Sequence, residues 1–186
     1  MTGRVYRQFA AKNGEPVILR SIRWEDLDAA VKFINELVSE REENPDLGII
    51  TDKKQSRDSE AEWLAERLVE VEGGNAVHVV AEVNGELVAN AHVSRGKTSD
   101  EYHHGTLGIS VSKRYRNLGV GLEVMKTLVD ECRKKDFKTI ELEVFANNER
   151  AIHVYERAGF KQVGRIPRKI CRNGRFIDIV VMAIET

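Results

Sequence analysis

Proline, cysteine and aromatic residues are scarce in this chain: among 186 residues there are 3 Pro, 2 Cys and 6% Phe, Trp and Tyr. So little proline excludes a Pro-rich module, and no stretch has the bias of a low-complexity segment. Cys132 and Cys171 stand far apart and match no metal or redox spacing, so reduced thiols in a cytoplasmic protein are expected. No apolar run approaches the roughly 18–20 residues that a membrane span needs. The opening Met1-Thr2-Gly3-Arg4-Val5-Tyr6-Arg7-Gln8-Phe9 lacks the apolar centre of a signal peptide. Charge of one sign is also missing. The 29 Lys+Arg and 30 Asp+Glu leave a formal net charge of -1, which points away from a nucleic-acid binder. What is present is a 41% hydrophobic composition at a length suited to one domain, 1–186, with residues 1–14 as a flexible N-terminal extension.

Along the chain, Val17-Ile18-Leu19 is a short strand, and 24–40 places Leu27, Val31, Ile34 and Val38 at helical spacing. A charged connection over 41–57 follows. Ser59 and Glu62 then form a capping-box pattern before Trp63, Leu64 and Leu68, opening a second helix that ends at Gly73-Gly74. Two β-rich runs, 76–83 and 87–93, flank Asn84-Gly85, a strong hairpin signal because both turn residues tolerate positive φ. Residues 106–111 are another strand, 119–135 a long helix, 139–145 a strand, 149–157 a short helix and 159–164 a strand. A last hairpin turns at Asn173-Gly174. The order β-αα-βββ-α-β-α-ββ predicts an α/β (α+β) fold, a mixed sheet covered by helices.

The most informative stretch is Arg116-Asn117-Leu118-Gly119-Val120-Gly121, between the strand ending at Val111 and the long helix. Glycines there let a ligand approach the backbone, and the unsatisfied N–H groups of the first helical turn, with the helix dipole, favour an anion. Lys113, Arg114 and Arg116 add positive charge, and a pyrophosphate suits this description. The dinucleotide fingerprint fails at its third position, where Val124 stands in place of a small residue. A Walker-type loop nearly forms at Gly96-Lys97-Thr98, but position 91 is Ala and no amphipathic helix follows. Arg-x-x-Gly-x-Gly is met in full by 116–121.

After the next strand comes Asn148-Glu149-Arg150-Ala151-Ile152-His153-Val154-Tyr155-Glu156-Arg157-Ala158-Gly159-Phe160. Together, Arg116, Gly119 and Gly121 followed by Asn148, Ala151, Ile152, Tyr155, Gly159 and Phe160 resemble the paired motifs of the GNAT superfamily of N-acetyltransferases. The resemblance implies a splayed sheet of six to seven strands with helices on both faces. It also implies acetyl-CoA as co-substrate, wedged between the strand ending at Val111 and the strand Thr139–Phe145. The backbone of Ile109 and Val111 would meet the acetyl carbonyl and pantetheine, and the amides of Arg116, Asn117, Leu118, Gly119, Val120 and Gly121 would hold the pyrophosphate. Asn148 would contact the pantetheine arm, and Tyr155 would protonate the departing thiolate. Asn148 serves equally well as a plain helix N-cap, and Tyr155 as a packing aromatic. A phenol of pKa about 10 does suit donation to a thiolate whose acid has a pKa of about 8.5.

The attacking amine must first lose a proton. For an alkylamine of pKa about 10.4 this costs about 4.6 kcal/mol at neutral pH. In Thr139-Ile140-Glu141-Leu142-Glu143-Val144-Phe145 alternation puts Glu141 and Glu143 on one face, against Ile140, Leu142 and Val144 on the other. Two carboxylates on one face of a central strand suggest a polar cleft. Glu143 lies nearer the C-terminal end, where α/β sheets bind ligands, and is the candidate base. A Glu at this separation from the Tyr also resembles the ribosomal-protein alanine acetyltransferases. His92, His103 and His104 are alternatives, since a pKa near 6.5 suits proton transfer. No metal site is expected.

The resemblance places the acceptor between the first two helices, their connection, here Arg41-Glu42-Glu43-Asn44-Pro45-Asp46, and the last hairpin. Acidic residues in that connection would draw in a cationic amine. The expected function is acetyl transfer by direct attack of a primary amine, on a protein N-terminus or lysine. The alternatives are a small amine (a polyamine, amino acid or antibiotic) and a non-catalytic acyl-CoA-binding module. No nucleic-acid or membrane partner is expected, and the assembly considered is a homodimer.

Overall fold

The structure, a computed structural model, describes residues 2–49 and 51–186; Met1, in the expected extension, and Ile50, in the charged connection, lie outside it. The described residues form β1 (Val5–Ala10), β2 (Pro16–Arg20), α1 (Leu27–Glu43), α2 (Arg57–Glu72), β3 (Ala76–Val83), β4 (Glu86–Arg95) and β5 (His104–Val111). There follow α3 (Val120–Lys134), β6 (Thr139–Phe145), α4 (Glu149–Arg157), β7 (Lys161–Arg172) and β8 (Arg175–Glu185). The eight strands make one sheet in the order β1-β2-β3-β4-β5-β6-β8-β7. Neighbours are antiparallel except β5 and β6, which run parallel.

Helices cover both faces, and alternation along the strands decides which side chain meets which helix. Val77, Val79, Ala81 and Val83 of β3 join Val124, Met125, Leu128 and Cys132 of α3 in the main core. Val80, pointing the other way, packs with Leu27 and Ala30 of α1 and Leu64 of α2. Burial on both faces explains why β3 is almost unbroken in apolar character. The Asn84-Gly85 and Asn173-Gly174 turns hold both residues at positive φ, 50° and 82° in the first and 51° and 75° in the second. That is the twist-matching hairpin geometry.

Three sequence expectations are corrected. Among the described residues the sheet has eight strands rather than six to seven. Residues 5–10, expected to be loose, form β1, paired antiparallel with β2. Their signal is faint because only Tyr6 and Phe9 lean on the core while Arg7 and Gln8 are exposed, as suits an edge strand with one wet face. The second helix starts three residues before the expected Ser59 cap. The N-cap is Ser56, whose hydroxyl accepts the Ser59 N–H at 3.1 Å.

The sheet opens at its parallel joint. Pairing between β5 and β6 runs from His104↔Thr139 to Leu107↔Leu142 and ends there. Beyond that point β5 stays with β4 as far as Val111, and β6 stays with β8 as far as Phe145. A V-shaped gap lies between 108–111 and 143–145.

Candidate active site

The gap has an unused main-chain edge. The His104 carbonyl accepts from Gly96 N–H at 3.1 Å, and Ser112 N–H donates to Val88 O at 2.9 Å, so even-numbered residues of β5 turn their polar groups toward β4. With a period of two, Ile109 and Val111 turn theirs into the gap. The Val111 carbonyl is occupied, accepting from Arg116 Nε at 2.9 Å.

The loop from β5 to α3 closes the top of the gap. Asn117 and Gly119 are left-handed, at φ 63° and 89°. Gly119 is the N-cap of α3, a position with no side-chain cap, so the first-turn amides of Val120 and Gly121 stay available to a ligand. Leu118 is tied from outside, its carbonyl accepting from Lys12 N–H at 3.0 Å. A Cβ at Gly121 would stand 3.6 Å from the Val111 side chain, and one at Gly119 would meet nothing within 4 Å. Gly119 is thus demanded by its φ and not by crowding. Val124, where a dinucleotide fingerprint would have its third glycine, is fully buried in the main core.

Of the three cations of this loop, Arg116 is the one closely engaged. The Arg116 guanidinium donates to both oxygens of Glu40 on α1, at 2.5 and 2.7 Å, so its job here is to brace the loop. Lys113 stands 4.0 Å from Glu43, and Arg114 stands 3.8 Å from Glu15. The loop thus offers an anion the main-chain amides of α3 together with the exposed side chains of Lys113 and Arg114.

Tyr155 and Glu143 lie on opposite faces of the sheet. Tyr155, on α4, packs against the main core on the α3 face, together with Ile109, Val111 and Leu118. Burial pushes its phenol up to about 12, so it remains a proton donor across the neutral range. Asn148 is the N-cap of α4, its side-chain oxygen accepting Ala151 N–H at 3.2 Å. Its amide nitrogen is left over, and a Cβ at Gly48 would meet it at 3.6 Å. Ile140, Leu142 and Val144 bury their side chains toward α3, which leaves Glu141 and Glu143 on the α1–α2 face. Glu143 is the first β6 residue past the last β5–β6 pair, at the apex of the V.

Glu143 is not free. Lys169 Nζ donates to its two oxygens at 2.5 and 2.6 Å, a contact absent from any local sequence pattern because 26 residues separate the partners. Among the alternative bases, His104 Nε2 stands 3.6 Å from Glu141, at the closed end of the parallel joint. His103 sits in the turn before β5, its carbonyl accepting Lys138 N–H at 2.8 Å. His92 lies over Gly108, where a Cβ would stand 2.9 Å from the ring. Burial drives His92 down to about 4, so it stays neutral and weakly basic.

Where the resemblance places the acceptor, the α1–α2 connection meets the basic last hairpin. Arg172 donates to the carbonyls of Pro45, Leu47 and Ile49 at 2.7, 2.7 and 2.9 Å and clamps the α1–α2 connection onto the last hairpin. Arg175 pairs with Asp46 at 3.2 Å. Asp46 of the connection is thus paired, and Lys169 is the hairpin cation that reaches Glu143 at the apex of the gap. A cleft of about 130 Å³ remains between Asp46, Arg172 and Ile177. A larger hollow of about 550 Å³, between α1 and the loop after β5, is bordered by Lys32, Glu40, Lys113 and Arg114. It touches neither Glu143 nor Tyr155 and offers no unpaired strand edge, so the V-shaped gap is the better candidate. Among the described residues no cluster of His, Cys, Asp and Glu is placed to hold a metal ion.

Over residues 34–160 the sequence matches the acetyltransferase (GNAT) family. It is 31% identical to an L-amino acid N-acetyltransferase of Escherichia coli over 106 residues, 56% of this chain and 65% of that protein. It is 39% identical to the E. coli ribosomal protein bS18 alanine N-acetyltransferase over 54 residues, 29% of this chain and 36% of that protein. The aligned stretches thus span less than two thirds of these relatives' own length. Among solved structures, the fold is shared with a Streptococcus pneumoniae acetyltransferase of the GNAT family, with TM-score 0.81 and 20% identity, covering 91% of this chain and 99% of that one. It is also shared with a putative acetyltransferase from Salmonella typhimurium, solved with its cofactor acetyl-CoA, with TM-score 0.78 and 18% identity, covering 91% and 93%.

Proposed function

The chain belongs to the acetyltransferase (GNAT) family, and from that premise we propose that it transfers an acetyl group from acetyl-CoA to a primary amine by direct attack. The observation that carries this is the V-shaped gap flanked by one acid and one carboxylate on opposite faces. The outward N–H and C=O of Ile109 and the N–H of Val111 hydrogen-bond an extended acyl-pantetheine chain as a missing strand would. The amides of Val120 and Gly121, with the α3 dipole, hold a pyrophosphate at the mouth. When bound, the thioester supplies an activated acyl carbon. On the α1–α2 face, Glu143 accepts the proton of the incoming amine once Lys169 yields its place. On the α3 face, Tyr155 keeps its proton through neutral pH and donates it to the departing sulfur. Acid and base on opposite sides of the acyl carbon fit an amine entering from one side and a thiol leaving from the other.

The E. coli relatives named above act on L-amino acids and on the alanine of a ribosomal protein, and both acceptor classes come within the proposal. The cytoplasmic setting and the homodimer belong to the same proposal. Thiol release from acetyl-CoA, measured with a panel of amino acids, peptides and polyamines, tests it. Amine-dependent release that drops in Tyr155→Phe supports the proposal. Binding of acetyl-CoA without release for any amine would leave an acyl-CoA-binding module instead.

A further inference from the structure

The candidate base is met by a lysine that the fold takes trouble to deliver. Strand β7 is not a neighbour of β6, since β8 lies between them. Between the pairs Ile166↔Ile179 and Ile170↔Ile177, the three residues Pro167, Arg168 and Lys169 oppose Asp178 alone. This is a bulge, which bends a strand and re-aims its side chains. Asp178 pins it: Oδ1 accepts Arg168 N–H at 2.8 Å and Oδ2 accepts Arg165 Nε–H at 2.9 Å. Those two bonds hold the Asp178 carboxyl below the usual carboxylate range, so the pin persists at neutral pH. Arg168, at φ 55°, is further held with its guanidinium 4.0 Å from the centre of the Phe176 ring. From this bulge Lys169 reaches over β8 and sets its ammonium on both oxygens of Glu143.

Stability does not account for the arrangement. The Lys169 and Glu143 side chains are 38% and 41% exposed, and ion pairs that wet contribute little. The geometry is that of a nucleophile on its base: a primary amine within hydrogen-bond reach of the carboxylate at the apex of the gap.

We infer that Lys169 is itself an acetyl acceptor, modified by the protein's own transfer reaction. The inference rests on the proposed acetyl transfer. Glu143 takes a proton from Nζ, and the freed lone pair attacks the thioester carbonyl carbon. The N–C bond forms, the C–S bond breaks, and the sulfur leaves with the proton of Tyr155 as CoA thiol; the second proton shed by the nitrogen passes through solvent to the Tyr155 phenolate, and Glu143 releases the first to solvent. The product is an uncharged amide, which no longer binds the carboxylate as an ion, so Glu143 is released for an external amine. Lys161 on the same strand has no carboxylate contact of this kind and provides an internal reference.

The test uses the full chain with acetyl-CoA and no added amine, followed by intact mass and peptide mapping. The expected result is one acetyl group at Lys169, gained about tenfold or more faster than at Lys161. The rate should not depend on protein concentration, should fall in Glu143→Gln, and should vanish from this peptide in Lys169→Arg and from the heat-denatured chain. Equal labelling of Lys161 and Lys169, or labelling that survives denaturation, would mean unassisted chemistry and overturns the inference. Transfer to a free amine with Lys169 left unmodified also overturns it, while leaving the proposed function standing. Absence of both transfers overturns the two together.

Discussion

In the proposed transfer, Glu143 and Tyr155 divide the chemistry between two faces of one sheet, and each has a different physical support. Tyr155 is fitted to be an acid by burial alone, which favours the neutral phenol. Glu143 is fitted by position, at the residue where β5 and β6 part. Glu143→Gln keeps the shape and removes proton acceptance, so the rate of acetyl transfer to an external amine should fall by about 10²–10⁴. Circular dichroism and the unfolding midpoint of that variant should match the parent. A variant that loses stability but keeps its rate would return Glu143 to a structural role. Arg116 shows how a motif residue can act at one remove. Its charge faces Glu40 and its Nε–H holds the Val111 carbonyl, so it shapes the loop whose amides do the binding.

Among the elements, the parallel joint is the one that everything else serves. At Gly105, within the paired part, an added Cβ would come 2.4 Å from Val93 Cγ1 and 2.8 Å from the Phe137 ring. Gly105→Ala should therefore destabilise the protein by about 1–3 kcal/mol in urea unfolding, since a packed core has no room to absorb the methyl. An unchanged midpoint would show that the joint is looser than described. The strands and helices nearest this joint were the most legible in the sequence. The strand 139–145 and the helix 149–157 have the same bounds in sequence and structure, because their periods are clean and Asn148 and Gly159 punctuate them. β1 leaves a faint sequence signal because only Tyr6 and Phe9 face inward, and Ser56 and Ser59 offer the same capping chemistry three residues apart. The site was legible in its backbone motifs and not in its ion pairs. Lys169 with Glu143, Arg116 with Glu40 and Arg172 with the 45–49 carbonyls are separated by 26, 76 and more than a hundred residues, and no local period encodes such contacts.

At the scale of the whole molecule, the net charge of -1 averages over many internal pairs, among them Arg116 with Glu40, Lys169 with Glu143, Arg165 with Asp178 and Arg175 with Asp46. The interior adds a pH limit. His78 and His92 pair across β3 and β4 with ring centroids 5.7 Å apart, and burial drives them down to about 3 and about 4. Above the unfolded value near 6.5 both states hold them neutral and they add no pH dependence. As pH falls below it, the unfolded chain takes up protons that the native state refuses. Stability should therefore decline from about pH 6.5 toward pH 4, a slope that His92→Gln should reduce. Urea unfolding at a series of pH values reads it directly.

The V-shaped gap is the central claim, and amide hydrogen exchange with and without saturating acetyl-CoA probes it residue by residue. The amides of Ile109, Val111, Val120 and Gly121 should slow markedly on addition, while Ser110, already turned toward β4, should change little. Bound acetyl-CoA that leaves those four unchanged and protects instead the hollow around Lys32, Glu40 and Lys113 would contradict the account.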